Sequence, residues 1–455
     1  MILQLANLLG TTQSDSPQLR ILHTSDWHLG QHFFGKSRDA EHAAFIDWLL
    51  SHVEQYQVDA LIIAGDIFDT GTPPSYARTR YNQFVVALSQ IGCQLVVLGG
   101  NHDSVATLHE SRELLACLNA TVIGTAQDDL SKQLVTLKNR AGEPAGILCG
   151  VPFLRQRDLL HSRAGDSAEE KQQQLMFAMT EHYADLFELA QQRQQLLKES
   201  ADLPILATGH MTCVGGQLSE SVREIYIGTL EAFPAKRFPK ADYIALGHLH
   251  RPQKVASSEH IRYSGSPLPL SFDETGSDKS SGDKQILMVD FAEGKLQHIE
   301  PVIIPRFRRL QSIEAPLDEL PELLQSIADQ SEADPLQPWV EVVIDAEQYI
   351  SDLQKQIQQI SEQLPLEILR VRRKRAKTET SLQQQQKETL AELKVEDVFN
   401  SRLADEALET QQIQPLTELF QQIVQQLEQP EPDQQQSDQS ESDQNQGRDS
   451  KEAQA

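Results

Sequence analysis

The chain has 455 residues, with 66 Asp and Glu against 40 Lys and Arg and a formal charge of −26. That length calls for one large domain with smaller appendages, and so acidic a balance excludes an evenly spread basic surface of the kind that grips nucleic-acid phosphates. The charge is uneven, however: Arg370-Val-Arg-Arg-Lys-Arg-Ala-Lys377 sets six cations in eight positions, whereas the stretch from Glu428 onward holds eight acidic and two basic residues.

Residues 1–19 open with a short apolar stretch that lacks the basic leader and long apolar core of an export signal, and they are expected to form a flexible extension. Strand-like runs follow at 20–24, 60–64, 94–98, 146–149, 204–208 and 242–246, with helix-like stretches at 39–56 and 75–91. Several of the runs are apolar almost throughout, the pattern of strands covered on both faces. The expected class is therefore α/β, a layered two-sheet domain over 20–300. Shorter runs at 261–263 and 286–291, bounded by Gly, Ser and Asp, predict a more antiparallel second sheet near residue 300, with a mobile loop at 276–283. Beyond Pro305 a helix at 317–329, a strand at 339–345, a helix at 351–364 and a strand entering the basic cluster predict a small α+β domain over 301–378. Apolar residues at helical spacing from 388 to 428 predict two amphipathic helices, within 379–428, that need a partner surface. The Gln-, Ser- and Asp-rich stretch 429–455 predicts a disordered tail. Four cysteines without paired spacing read as reduced thiols of a cytoplasmic protein. No run approaches the roughly twenty apolar residues of a membrane span, so no membrane contact is expected.

Five short segments end such runs: Asp26-Trp-His28, Gly65-Asp66, Gly100-Asn-His-Asp103, Gly209-His210 and Gly247-His-Leu-His250. Strand ends are where an open α/β sheet presents its catalytic loops. Asp26, His28, Asp66, Asn101, His210, His248 and His250 are candidate ligands of two divalent ions, Mn²⁺ first and Mg²⁺ as the alternative. Such ions favour oxygen but accept imidazole, and a pair of them can hold the attacking and leaving oxygens of an in-line phosphoryl displacement. Asp66, behind Gly65, suits the bridging carboxylate. Asp26 and His28, two apart on an extended segment, suit one ion; His248 and His250 share that alternation and could serve one ion or one each. His102, between Asn101 and Asp103, is the candidate proton donor, with Asp103 able to orient its ring by a hydrogen bond. Each group alone has a plainer reading, as helix cap, turn residue or hydrogen-bonded core histidine. Chance convergence of five strand-end segments is put below about one in twenty. Lys36, Arg38, Arg155, Arg157 and Arg251 adjoin these segments and are candidate DNA-phosphate contacts, as is the cluster at 370–377.

Thr24-Ser-Asp-Trp-His-Leu-Gly30, Ala64-Gly-Asp-Ile-Phe-Asp69, Gly100-Asn-His-Asp103, Gly209-His210 and Gly247-His-Leu-His-Arg-Pro252 resemble the motifs of the calcineurin-like metallophosphoesterases. The Trp27 motif, the Phe68-Asp69 pair, Tyr263-Ser-Gly-Ser-Pro267 and the later segments resemble, within them, the SbcD family of nuclease subunits, from about residue 20 to about residue 428. The resemblance implies Asp26, His28, Asp66 and His250 around one Mn²⁺, Asp66, Asn101, His210 and His248 around the other, and His102 as the catalytic histidine. It further implies an ATP-dependent 3′–5′ double-strand exonuclease and single-strand or hairpin endonuclease acting in DNA recombination, repair and replication. Its assembly would be a homodimer joined to the SMC-like ATPase SbcC in a heterotetramer. Surfaces at 76–88 and 107–118 would form the dimer contact, 301–378 a DNA-capping domain, and 379–428 the helices that bind the ATPase coiled coil. Asp69 stands where archaeal and eukaryotic relatives carry a histidine and is left out of the catalytic set. Two rival readings remain: a phosphatase of small or protein phosphoesters, and a non-catalytic scaffold for the ATPase.

Overall fold

A computed structural model describes residues 18–160, 167–197, 202–214, 232–275, 283–331, 334–344 and 353–373. The chain divides into compact units at 1–379 and 380–455, and every described residue belongs to the first. Of the extension expected over 1–19, residues 1–17 lie outside the described residues, whereas Leu19 is buried and begins the first strand; most of the loop expected at 276–283, the helices expected within 379–428 and the tail expected at 429–455 also lie outside the described residues.

Strand β1 (Leu19–Thr24) leads through a small hairpin, β2 (His32–Phe33) and β3 (Lys36–Ser37), into α1 (Asp39–Gln55). Then come β4 (Ala60–Ile63), α2 (Ser75–Ile91), β5 (Gln94–Leu98), the short α3 (Val105–His109) and α4 (Arg112–Ala116), and β6 (Ala120–Ile123). The chain continues through β7 (Leu134–Lys138), β8 (Pro144–Cys149), α5 (Gln156–Leu159), α6 (Ala168–Leu197), β9 (Ile205–His210), β10 (Tyr243–Gly247), β11 (Gln253–Lys254) and β12 (Ile261–Tyr263). A hairpin of β13 (Gln285–Ala292) and β14 (Lys295–Ile303) precedes β15 (Leu310–Ala315), α7 (Leu320–Gln330), β16 (Trp339–Ile344), α8 (Leu353–Ser361) and β17 (Glu367–Arg373).

Two six-stranded sheets result, ordered β14-β13-β1-β4-β5-β6 and β11-β12-β10-β9-β8-β7. Their centres are parallel and antiparallel pairs lie toward their edges. Period-two alternation explains the continuous hydrophobic runs. Ile21, Ala60, Ile62, Val96 and Leu98 meet Leu148, Leu206, Tyr243 and Ala245 between the sheets. Their neighbours Leu22, Leu61, Ile63, Leu95 and Val97 pack under α1 and α2, and Ile205, Ala207, Ile244 and Leu246 pack with residues of α6. Both faces of the central strands are buried in a four-layer stack, so their runs are mainly apolar, with a few polar positions such as His23, Thr24 and Thr208 buried among them.

Three expectations change. β12 pairs parallel with β10 and β13 pairs antiparallel with β1, so 261–263 and 286–291 belong to different sheets. The first sheet continues to Ile303, past the boundary expected at 300. β15, β16 and β17 pair in parallel through the crossovers α7 and α8, a βαβαβ unit rather than segregated α+β. That unit meets the rest of the chain at an aromatic cluster of Phe33, Phe272, Leu310 and Trp339. Phe33 stacks on Trp339 at 5.9 Å and 5°, and the Arg308 guanidinium lies 4.0 Å from the Trp339 ring centre.

Candidate metal centre

The strands that carry the five motifs, β1, β4 and β5 of one sheet and β9 and β10 of the other, finish on one side of the stack. The chain must turn there at once, and it does so through unusual backbone. Asp26, His28, Asp66 and His248 have φ of 55°, 48°, 52° and 94°, a left-handed region that costs a residue other than Gly or Asn on the order of 1–3 kcal/mol. The extended segment expected for Asp26 and His28 is therefore a sharp turn. Trp27, between them, is buried against Phe45 and Phe84 and donates from Nε1 to Thr24 Oγ1 at 3.0 Å, anchoring the turn in the core. Two glycines make room. A Cβ at Gly65, itself at φ 98°, would overlap the His210 ring, and one at Gly100 would overlap the Asp66 carboxylate.

The candidate ligands come together in two groups, Asp26 with His28 and His250, and Asp66 with His210 and His248, each with its ligand atoms within 4.8 Å of one another. Asp66 faces both: its Oδ2 lies 3.2 Å from His210 Nε2 and 3.7 Å from His28 Nε2. Asn101 Oδ1 is 2.9 Å from both His210 Nε2 and His248 Nδ1. His102 lies edge-on to His28, with ring centres 4.7 Å apart.

The donor set fits cations. His210 Nδ1 donates to the Ala64 carbonyl at 2.8 Å, so its Nε2 lone pair aims at two acceptor oxygens, those of Asn101 and Asp66. That arrangement is repulsive unless a proton or a metal ion lies among them. Burial opposes protonation, yet the Asp66 charge raises the His210 pKa to about 9. Against the cost of burial, His210 and then His28 hold the Asp66 carboxyl well below its ordinary range. Burial, followed by repulsion from His210, lowers the His248 pKa to about 3 and keeps that imidazole neutral, as a ligand requires. Nδ2 of Asn101 is buried without a hydrogen-bond partner, and the buried ring nitrogens of His28 have the carboxylates of Asp69 and Asp66 nearby, at 3.3 and 3.7 Å.

The supporting residues differ from expectation. Asp103 does not orient His102; its carboxylate accepts from the backbone N–H groups of Ile67, Phe68 and Gly100 at 3.1, 3.0 and 2.9 Å, tying the loop after β4 to the loop after β5. Burial and then the Asp66 charge raise its pKa to about 6. The His102 ring is held instead by the Asp69 carbonyl, which accepts from Nδ1 at 2.8 Å, while Asp69 Oδ1 lies 3.3 Å from His28 Nδ1. Asp69 thus supports two site histidines, although no motif logic assigned it that task.

The candidate DNA contacts divide. Arg38 is 1% exposed, paired with Glu41 and the Pro269 carbonyl and 5.2 Å from the Phe33 ring centre, so it braces the fold and offers no surface to a phosphate. Arg251 is engaged with Asp273 and Arg155 with the Asp103 carbonyl. Lys36 pairs with Glu367 but keeps half its side chain exposed, and Arg157 is largely exposed. In the basic cluster, Arg370 and Arg372 both lie 3.2 Å from the buried Glu341 carboxylate.

The calcineurin-like phosphoesterase family matches residues 19–252, and the family described as type 5 capsule protein repressor C-terminal domain matches residues 306–407. The Escherichia coli (strain K12) SbcD protein, named as a subunit of the nuclease SbcCD, is 51% identical over 406 residues, covering 88% of this chain and 97% of that protein. Proteins of the same name are 34% identical in Rhodobacter capsulatus, over 77% of this chain and 86% of that one, and 34% identical in Bacillus subtilis, over 58% and 65%. A β-glucosidase structure from Exiguobacterium marinum, at 10% identity and a TM-score of 0.20 over 79% of this chain and 89% of that one, is too slight a likeness to bear on the fold. With the site geometry and half of one relative's sequence in common over nearly its whole length, this chain belongs to the SbcD family of nuclease subunits within the calcineurin-like phosphoesterases.

Proposed function

We propose that this chain is the nuclease subunit of an SbcCD-type complex, hydrolysing DNA phosphodiesters with two divalent ions, Mn²⁺ in preference to Mg²⁺. Asp26, His28, Asp66 and His250 would hold one ion, and Asp66, Asn101, His210 and His248 the other. The observation that carries this reading is the reach of one carboxylate, Asp66, toward both histidine groups. When bound, the ions supply Lewis-acid stabilisation of the charge that builds on the phosphate oxygens. His102, its Nδ1 committed to the Asp69 carbonyl, would use Nε2 to protonate the departing alkoxide, a role worth about 10²–10⁴ in rate. Asp103 keeps the loops that carry Asp66 and His102 in register.

The body at 20–303 is the nuclease domain, and the βαβαβ unit within 301–378 is the DNA-capping domain. Lys36, Arg155, Arg157 and Arg251 are the phosphate contacts that remain after Arg38 is removed. SbcC binds at 379–428, and a homodimer forms through 76–88 and 107–118, where Leu114 and Val86 are exposed. The complex works in the cytoplasm as an ATP-dependent 3′–5′ exonuclease and hairpin endonuclease in recombination, repair and replication. Linear duplex, hairpin DNA and p-nitrophenyl phosphate, each with Mn²⁺ and with or without the ATPase and ATP, form the test. Metal-dependent DNA cleavage that the partner enhances is expected; inert DNA beside rapid p-nitrophenyl phosphate turnover would favour a phosphatase instead.

A further inference from the structure

We infer that the buried pair Lys284 and Glu274 is a positioning device for His250, holding that residue at both its backbone and its ring. Lys284 Nζ donates to the His250 carbonyl at 2.8 Å, to Ser266 Oγ at 2.9 Å and to Glu274 Oε2 at 2.6 Å, which uses all three of its donors. Glu274 Oε1 in turn lies 3.4 Å from His250 Nδ1. With Nδ1 turned to that carboxylate, Nε2 is the nitrogen that can join Asp26 and His28. Glu274 is itself fixed by the Leu270 N–H at 3.0 Å and Ser271 Oγ at 3.2 Å.

Stability does not account for the pair. Both side chains are buried, and an ion pair taken out of water gains little over apolar residues of similar volume. A carboxylate behind a metal-bound imidazole has another use: it sets the tautomer, aims the ring and raises its basicity, and removing such a partner lowers metal affinity by about 10–100-fold. The inference rests on the reading of His250 as a ligand, and Glu274 acts through it rather than on substrate.

Mn²⁺ binding to the full chain, followed by electron paramagnetic resonance, tests it alongside thermal unfolding of the metal-free chain. Glu274→Gln is expected to weaken one of two Mn²⁺ by about 10–100-fold, leave the other unchanged and melt below wild type, because it leaves the Lys284 charge buried alone. The double variant Glu274→Met, Lys284→Met is expected to lose the same single site while folding, because it leaves no charge buried alone. Wild-type affinity at both sites in either variant overturns the proposal. Should Glu274→Gln not fold, Glu274→Asp decides: it keeps the charge beside Lys284 but falls short of His250, so single-site weakening supports the device and undiminished binding overturns it. Asp66→Ala guards the underlying reading, since it should lose both ions. If it binds both, the metal centre fails, whereas loss there with normal binding in the Glu274 variants removes the positioning role alone.

Discussion

Asp66 is the residue on which the centre turns. It contacts both histidine groups and accepts the His102 N–H at 2.8 Å, so Asp66→Ala is expected to abolish binding of both ions, as metal analysis after dialysis would show. His102→Ala should separate chemistry from binding: both ions stay, and cleavage falls by about 10²–10⁴, which single-turnover digestion of a labelled duplex measures. Wild-type cleavage in that variant would remove His102 as proton donor. Glu274 supplies a pH signature. Burial works against its charge, but Lys284 and then His250 hold its carboxyl well below 4.5. A carboxyl depressed in the folded state contributes stability that is complete above about pH 4.5 and lost as pH falls through the folded value. The stability gap between the metal-free wild type and Glu274→Gln should therefore narrow on acidification, and denaturant melts at about pH 7 and pH 3.5 would show it. At this scale the sequence reveals groups that stand in strand-end motifs and hides those that act from elsewhere. Seven candidate ligands and His102 were legible. The support was not, because Glu274 lies 24 positions from His250 with no spacing to mark it, and Asp103 gives its carboxylate to backbone donors that no side-chain pattern records. Arg38 shows the limit from the other side, since a cation beside a motif reads the same whether it faces solvent or, as here, an aromatic cluster.

Among elements, the hairpin of β2 and β3 joins the loop bearing His28 to the βαβαβ unit. Phe33 stacks on Trp339, Arg308 also contacts that ring and pairs with Glu41 at 3.0 Å, and Phe272, two residues before Glu274, completes the cluster. Trp339→Ala removes the shared surface and is expected to cost about 3–5 kcal/mol at that junction. Limited proteolysis should then cut faster between Ile303 and Leu310, with metal content unchanged; an unaltered digestion rate would mean that the cluster does not hold the unit in place. The elements legible in the sequence were those with strong periodicity. α2 matches its expected span of 75–91, and β5 that of 94–98, because strands buried on two faces and amphipathic helices write their period plainly. α6 escaped, although it is the longest helix among the described residues. Its buried apolar residues form only a narrow stripe, Leu175, Met179, Tyr183, Leu186 and Ala190, with His182 buried beside them, within a Gln-rich stretch. β14 escaped for the opposite reason, being an edge strand with no fully buried position.

For the whole molecule, charge and architecture point the same way. Residues 380–455 hold sixteen acidic and five basic side chains, a net of −11, which leaves −15 on residues 1–379. Both compact units are thus acidic, and some of the conspicuous cations also pair with carboxylates of the chain, Arg370 and Arg372 with Glu341 and Arg251 with Asp273. Long-range attraction to a polyanion cannot come from such a chain; it must come from local cations, bound metal and a partner. Hydrolysis itself has no such need, since every candidate ligand and His102 belong to the first unit. A chain ending at Glu379 is therefore expected to turn over a small diester, bis(p-nitrophenyl) phosphate, with Mn²⁺ at the full-length rate, while the ATPase and ATP no longer stimulate its cleavage of duplex DNA. Measured side by side, the two assays locate the partner's contribution. Loss of the small-diester activity would show that the centre depends on residues beyond 379, and persistent stimulation would move the partner contact onto the nuclease body.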